Sequence, residues 1–265
     1  MGCLVAETAV QFKGLIAFGA KWIGRVLFPP VCAGCERIIA DSGCLCGQCW
    51  PKLRFLEQPW CDVMGTPFSY EVAEGMMSGD AIANLPPFRR ARAAVSYTGV
   101  ARQMVLGLKF GDRTELAPFM ARWMMRVAPD LVAEADLIVP VPLHRIRYFN
   151  RRFNQSAELG RELCKLADKR FSPESVVRSR ATRQQVGLAA RAREENVRGA
   201  FRVPARRTDL VRGKNVLVID DVFTTGNTVV AVTKALKKAG AAQVDVLTFA
   251  RVLPGDFRPE DAGSI

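Results

Sequence analysis

The sequence predicts an α/β protein, with a parallel β-sheet flanked by helices and a small cysteine-rich module ahead of it. Three observations carry this. First, the apolar run Val216–Ile219 suits a strand buried on both faces. Second, from Arg92 onward short apolar runs alternate with helical patterns, which implies strands joined by crossover helices. Third, two Cys-x-x-Cys pairs, Cys32/Cys35 and Cys46/Cys49, stand ten residues apart near the start of the chain.

The elements follow in order. Within Phe12–Leu27, apolar residues recur largely at helical spacing, and Lys13, Lys21 and Arg25 interrupt them. The stretch reads as an amphipathic helix packed on its own protein, with a membrane surface as the other reading. It is too charged to span a bilayer, and no small-residue cleavage site precedes Pro29-Pro30, so a cytoplasmic protein is expected. Residues 59–90 carry Pro59, Pro67, Pro86 and Pro87 without sustained periodicity and read as irregular. Ala93–Tyr97 reads as a strand, Ala101–Phe110 and Leu116–Val127 as helices, and Leu137–Val141 as a strand ended by Pro142. Phe153–Leu166 reads as a helix, and Val216–Ile219, Thr228–Ala239 and Val244–Phe249 as a strand–helix–strand unit. No internal repeat is visible. The boundaries expected are a helix over 1–28, a zinc-ribbon-like module over 29–65, a linker over 66–90, the α/β domain over 91–252 and a tail over 253–265.

Composition bounds the function. The 265 residues are 49% hydrophobic and 24% charged, an ordinary globular balance. The net charge of +12 comes from 38 Lys+Arg against 26 Asp+Glu. It suits a pyrophosphate substrate or nucleic acid equally.

The cysteine pairs give two tight turns able to face each other and coordinate Zn²⁺ tetrahedrally through four thiolates. Reduced structural cysteines and a redox switch are the other readings. Cys44 lies outside the pairs and is a spectator or a substitute ligand. Cys61 begins Cys61-Asp62-Val63-Met64, where Met64 occupies the place of a second cysteine, so Cys61 is a substitute ligand or a buried thiol. Four thiolates close the coordination sphere, so such a metal is structural.

The chemistry centres on residues 216–228. Asp220 and Asp221 follow the apolar strand where it is expected to end, and Thr224-Thr225-Gly226-Asn227-Thr228 leads into a helix. Ligands of open α/β sheets bind at the carboxyl ends of strands, and a Gly-containing turn opening a helix offers N–H groups to a phosphate. Strand-end acids of a receiver or Walker-B type are the alternative, without the hydroxyl-rich loop. The whole motif resembles that of type I phosphoribosyltransferases, which bind phosphoribosyl pyrophosphate (PRPP). The resemblance implies that Asp220 and Asp221 hold the ribose hydroxyls, with Mg²⁺, and that Val222 and Thr224 to Thr228 surround the 5′-phosphate. Pro142, Leu143, His144 and Arg145 leave the Leu137–Val141 strand and look like the family's pyrophosphate loop; a plain turn with solvated arginines is the other reading. Lys109 is a candidate to neutralise the leaving group. Residues 178–207 hold nine arginines and read as a basic flap carrying Arg183, Gln184, Gln185 and Arg191, as a nucleic-acid track, or as a solvated hairpin and helix.

Further motifs occur in a fixed order around these: Leu27-Phe28-Pro29-Pro30 before the cysteines, Leu108-Lys109-Phe110-Gly111-Asp112, Val139 to Leu143, and Arg152-Phe153-Asn154-Gln155. Over roughly residues 25–252 the chain resembles the ComF proteins, cytoplasmic bacterial proteins with a zinc ribbon ahead of a phosphoribosyltransferase domain. The resemblance implies a link to DNA uptake, with helicase and recombination proteins as partners, and names no acceptor. Two functions remain open: transfer of a phosphoribosyl group to an amine or base, with structural Zn²⁺ and Mg²⁺, or a non-catalytic module that binds single-stranded DNA or a helicase.

Overall fold

The computed structural model describes residues 29–41, 44–143, 153–179 and 199–256. The expected helix over Phe12–Leu27 lies outside them, as do His144, Arg145, Arg183, Gln184, Gln185 and Arg191. The chain divides into two compact units, 1–50 and 51–265.

Unit 51–265 holds, in chain order, α1 (Gly79–Ala83), β1 (Ala91–Ser96), α2 (Gly99–Phe110), α3 (Ala117–Val127), α4 (Pro129–Glu134), β2 (Leu137–Pro140) and α5 (Gln155–Ala167). These are followed by β3 (Val177–Arg178), β4 (Phe201–Arg202), α6 (Thr208–Val211), β5 (Asn215–Phe223), α7 (Asn227–Lys238) and β6 (Gln243–Arg251). Four strands form one parallel sheet in the order β1-β6-β5-β2, and β3 and β4 form a short antiparallel pair. Single bridges extend both edges of the sheet, Phe55 against Val95 and Phe171 against Ile138.

Both faces of the sheet are covered, which explains its unbroken apolar strands. On one face Val216, Val218, Val244 and Val246 pack with Val229, Val232 and Leu236 of α7. On the other, the Trp123 ring of α3 stacks on Phe249 of β6 at 6.0 Å. α5 packs beside α3 and against β2 and β5.

Two expectations are corrected here. β5 does not end at Ile219, because β6 stays paired with it as far as Phe223↔Arg251. The acid pair therefore lies inside the strand. Its other neighbour stops sooner: β2 ends at Pro140, opposite Ile219. The stretch read as an irregular linker also contains order, with Trp60 bridged to Pro67 and the helix α1 capped by the Ser78 side chain.

The order of connections fixes where a ligand can enter. After β2 the chain passes through α5 to Phe171, on the outer side of β2. After β5 it passes through α7 to β6, on the opposite side. The carboxyl ends of β2 and β5 thus flank a topological switch point, where open parallel sheets bind ligands.

Candidate functional site

Asp220 is the first residue of β5 beyond the end of β2. The Val141 N–H still reaches the Ile219 carbonyl at 2.9 Å, and the chain then turns away through Pro142 and Leu143. This leaves the two carboxylates just beyond the last β2–β5 pairing, at the switch point of the sheet. The Oδ1 atom of Asp220 accepts from the Ser156 hydroxyl at 2.8 Å and from the Asp221 N–H at 3.0 Å. Burial raises the Asp220 carboxyl to about 7, the Asp221 charge adds to this, and Ser156 and Lys109 work against it. Lys109, near the end of α2, places Nζ 3.1 Å from Asp221 Oδ2. Tyr97, at the end of β1, lies within electrostatic reach of Lys109 and Asp221, and burial raises its phenol pKa.

The loop after β5 is shaped by Gly226. Its φ of +78° is left-handed, and a Cβ there would come within 2.7 Å of the Phe223 ring. Gly226 is also the N-cap of α7, so no side chain caps that helix. Its first-turn N–H groups and dipole face the loop, an arrangement that favours an anionic oxygen. Thr224, Thr225, Asn227 and Thr228 surround that helix start, and Val222 is the half-buried residue between the acid pair and Phe223.

Asn154 and Gln155 stand in the sequence only as part of the Arg152–Gln155 motif, and the Ser156 that follows them carries no signal of its role. Asn154 caps α5 by accepting from the Ser156 and Ala157 N–H groups, and its amide donates to the Val141 carbonyl at 3.0 Å. Gln155 reaches the Lys109 carbonyl at 3.5 Å, and Ser156 holds Asp220. One helix start thereby ties the end of β2, the lysine and the acid pair together. Asn followed by a helical pattern is a legible cap signal. Nothing in the sequence reveals what the Ser156 hydroxyl touches.

In unit 1–50 the sulfurs of Cys32, Cys35, Cys46 and Cys49 all lie within 4.8 Å of one another. Cys44 and Cys61 are not in this group, so neither is a substitute ligand. Burial opposes ionisation of Cys32, but N–H groups from Cys46, Cys35 and Gly34 outweigh it and hold the thiol at about 6. Burial and the neighbouring sulfurs push Cys49 up to about 12. Four thiolates at this spacing repel unless a cation lies among them, and the donor set fits tetrahedral Zn²⁺.

A cavity of about 880 Å³ opens elsewhere, lined in part by Phe55, Trp60, Arg92, Trp123 and Arg126. The acid pair does not line it, and Arg92 and Arg126 face Asp62 and Glu57. It is separate from the acid pair.

A parallel sheet with acids at its switch point, preceded by a four-cysteine metal cluster, defines a phosphoribosyltransferase-like domain behind a zinc ribbon. Family models agree: residues 23–82 match a double zinc ribbon domain and residues 156–261 a phosphoribosyl transferase domain. The chain belongs to the ComF family. The DNA utilization protein YhgH of Escherichia coli is 31% identical over 84% of this chain and 91% of its own. Competence protein F of Haemophilus influenzae is 26% identical over 80% of this chain and 92% of its own. Among solved structures, a phosphoribosyltransferase from Corynebacterium diphtheriae aligns with a TM-score of 0.31 and 20% identity, over 58% of this chain and 72% of that one. Among the described residues, no helix is long and apolar enough to cross a membrane.

Proposed function

We propose that the switch point between β2 and β5 binds PRPP and that the protein transfers its phosphoribosyl group to an amine or base, in the service of DNA uptake. The observation that carries this is the placement of Asp220 and Asp221 just past the end of β2, next to the uncapped start of α7. Paired carboxylates accept from vicinal ribose hydroxyls, and the helix start receives the 5′-phosphate. Two carboxylates on hard oxygen chemistry also fit Mg²⁺, which when bound supplies charge neutralisation for departing pyrophosphate.

The chain's own residues do the rest. Ser156 orients Asp220, and Lys109 neutralises Asp221 until a ligand competes for its oxygen. Pro142 and Leu143, which follow β2, are assigned to the pyrophosphate side together with His144 and Arg145 on their sequence motif alone, and Arg183, Gln184, Gln185 and Arg191 are assigned to a covering flap on the same ground. The names of the relatives, a DNA utilization protein and a competence protein, support the DNA link.

Titration calorimetry with PRPP and Mg²⁺ tests the reading. Saturable one-to-one binding is expected, lost in the Asp220→Asn/Asp221→Asn double variant. Absence of heat from the unsubstituted protein defeats the proposal. The net charge of +12 favours a second reading, a non-catalytic module that binds single-stranded DNA and recruits helicase or recombination proteins.

A further inference from the structure

We infer that the second half of the double zinc ribbon holds no metal, so that the protein carries one zinc per chain, and that its turn is instead braced by the α/β domain.

The two halves repeat one hydrogen-bond pattern. In the first, Val31 bridges Ile38, the Cys32 N–H donates to the Arg37 carbonyl, and the Ile39 N–H donates to that of Pro30. At a constant offset of 29 residues, Trp60 bridges Pro67, Cys61 donates to Thr66, and Phe68 donates to Pro59. Glu36 and Gly65, equivalent in this register, share a left-handed backbone with φ of 62° and 64°. The second turns match as well. Cys32 Sγ accepts from the Cys46 N–H at 3.2 Å, and Cys61 Sγ accepts from the Ser78 N–H at 3.2 Å. Trp50 donates to the Cys46 carbonyl as Ile82 does to that of Ser78.

This register makes Cys61, Met64, Ser78 and Ala81 the counterparts of Cys32, Cys35, Cys46 and Cys49. One thiol, a thioether, a hydroxyl and a methyl do not make a tetrahedral zinc site. The hydroxyl serves the backbone instead, accepting from the Ala81 N–H at 3.4 Å. Nor does Asp62 stand in as a ligand, since its carboxylate faces Arg92 at 3.4 Å.

Other donors hold the turn. The Asp62 carbonyl accepts from Arg92 Nη1 at 2.7 Å and the Val63 carbonyl from the Ala91 N–H at 2.7 Å. The Met64 carbonyl accepts from Arg251. Three consecutive carbonyls are thus gripped by β1 and β6, and a Cβ at Gly65 would collide with the Ala91 carbonyl. A metal knuckle has become a docked loop.

Zinc in the purified full-length protein, measured by plasma mass spectrometry, is expected at one equivalent per chain; two equivalents overturn the inference. After chelation, amides of 31–50 are expected to lose protection from hydrogen exchange while those of 60–82 keep it, and joint loss overturns it too. The variant Met64→Cys/Ser78→Cys/Ala81→Cys rebuilds four thiols and is expected to bind a second equivalent, doubling the thiolate-to-metal absorbance with Co²⁺. A folded variant that stays at one equivalent overturns the register on which the inference stands.

Discussion

Asp220 puts function and stability in opposition within one side chain. Burial, and secondarily Asp221, raises its carboxyl from 3.8 to about 7. A folded-state value above the unfolded one means the favourable contribution is complete below about pH 4. It is lost as the pH climbs, and by pH 8 the fold carries a buried charge it would rather protonate. Asp220→Asn keeps the shape and can still accept from Ser156. At pH 8 it is expected to stabilise the protein by about 1–2 kcal/mol, while at pH 4.5 the gain largely vanishes. Urea midpoints at the two pH values check this, and an equal effect at both would refute it. A carboxylate retained at such a cost is a mark of a binding site rather than of a core.

The loop between β5 and α7 depends on one element junction. Gly226→Ala forces a left-handed alanine and drives a methyl into the Phe223 ring, which Arg251 covers at 4.3 Å and Phe88 meets edge-on at 6.3 Å. The ring has little room to yield. A loss of about 2–4 kcal/mol is expected in a denaturant midpoint, with weaker PRPP binding. At this scale the sequence was most readable where a pattern has one physical cause. Val216–Ile219 is apolar because α7 and α5 cover opposite faces of β5, so the strand was visible from residue types alone. Its true end was not, since pairing with β6 rather than any local signal carries it on to Phe223. The cysteine quartet was legible from spacing. Its degenerate copy showed only at Cys61, with Met64 in the place of a second cysteine: with three ligands gone, hydrogen bonds alone preserve the rest of the repeat, and residues 59–90 read as irregular. Ser156 shows the same limit at the site, because a hydroxyl's partner 64 residues away is a product of packing α5 on β5.

Across the whole molecule, the parallel order β1-β6-β5-β2 decides where chemistry is possible, and the charge of +12 decides what approaches. If single-stranded DNA is a direct partner, phosphate contacts release counterions and binding falls steeply with salt. For six or more contacts, affinity is expected to drop about 10³-fold between 50 and 200 mM salt in a fluorescence-anisotropy titration. A flat response would leave the proposed PRPP site as the sole claim on function. The grip of Arg92 and Arg251 on the Asp62 and Met64 carbonyls reaches further than local geometry. A loop fastened by arginines does not depend on metal supply, so the α/β half is expected to fold in cells starved of zinc.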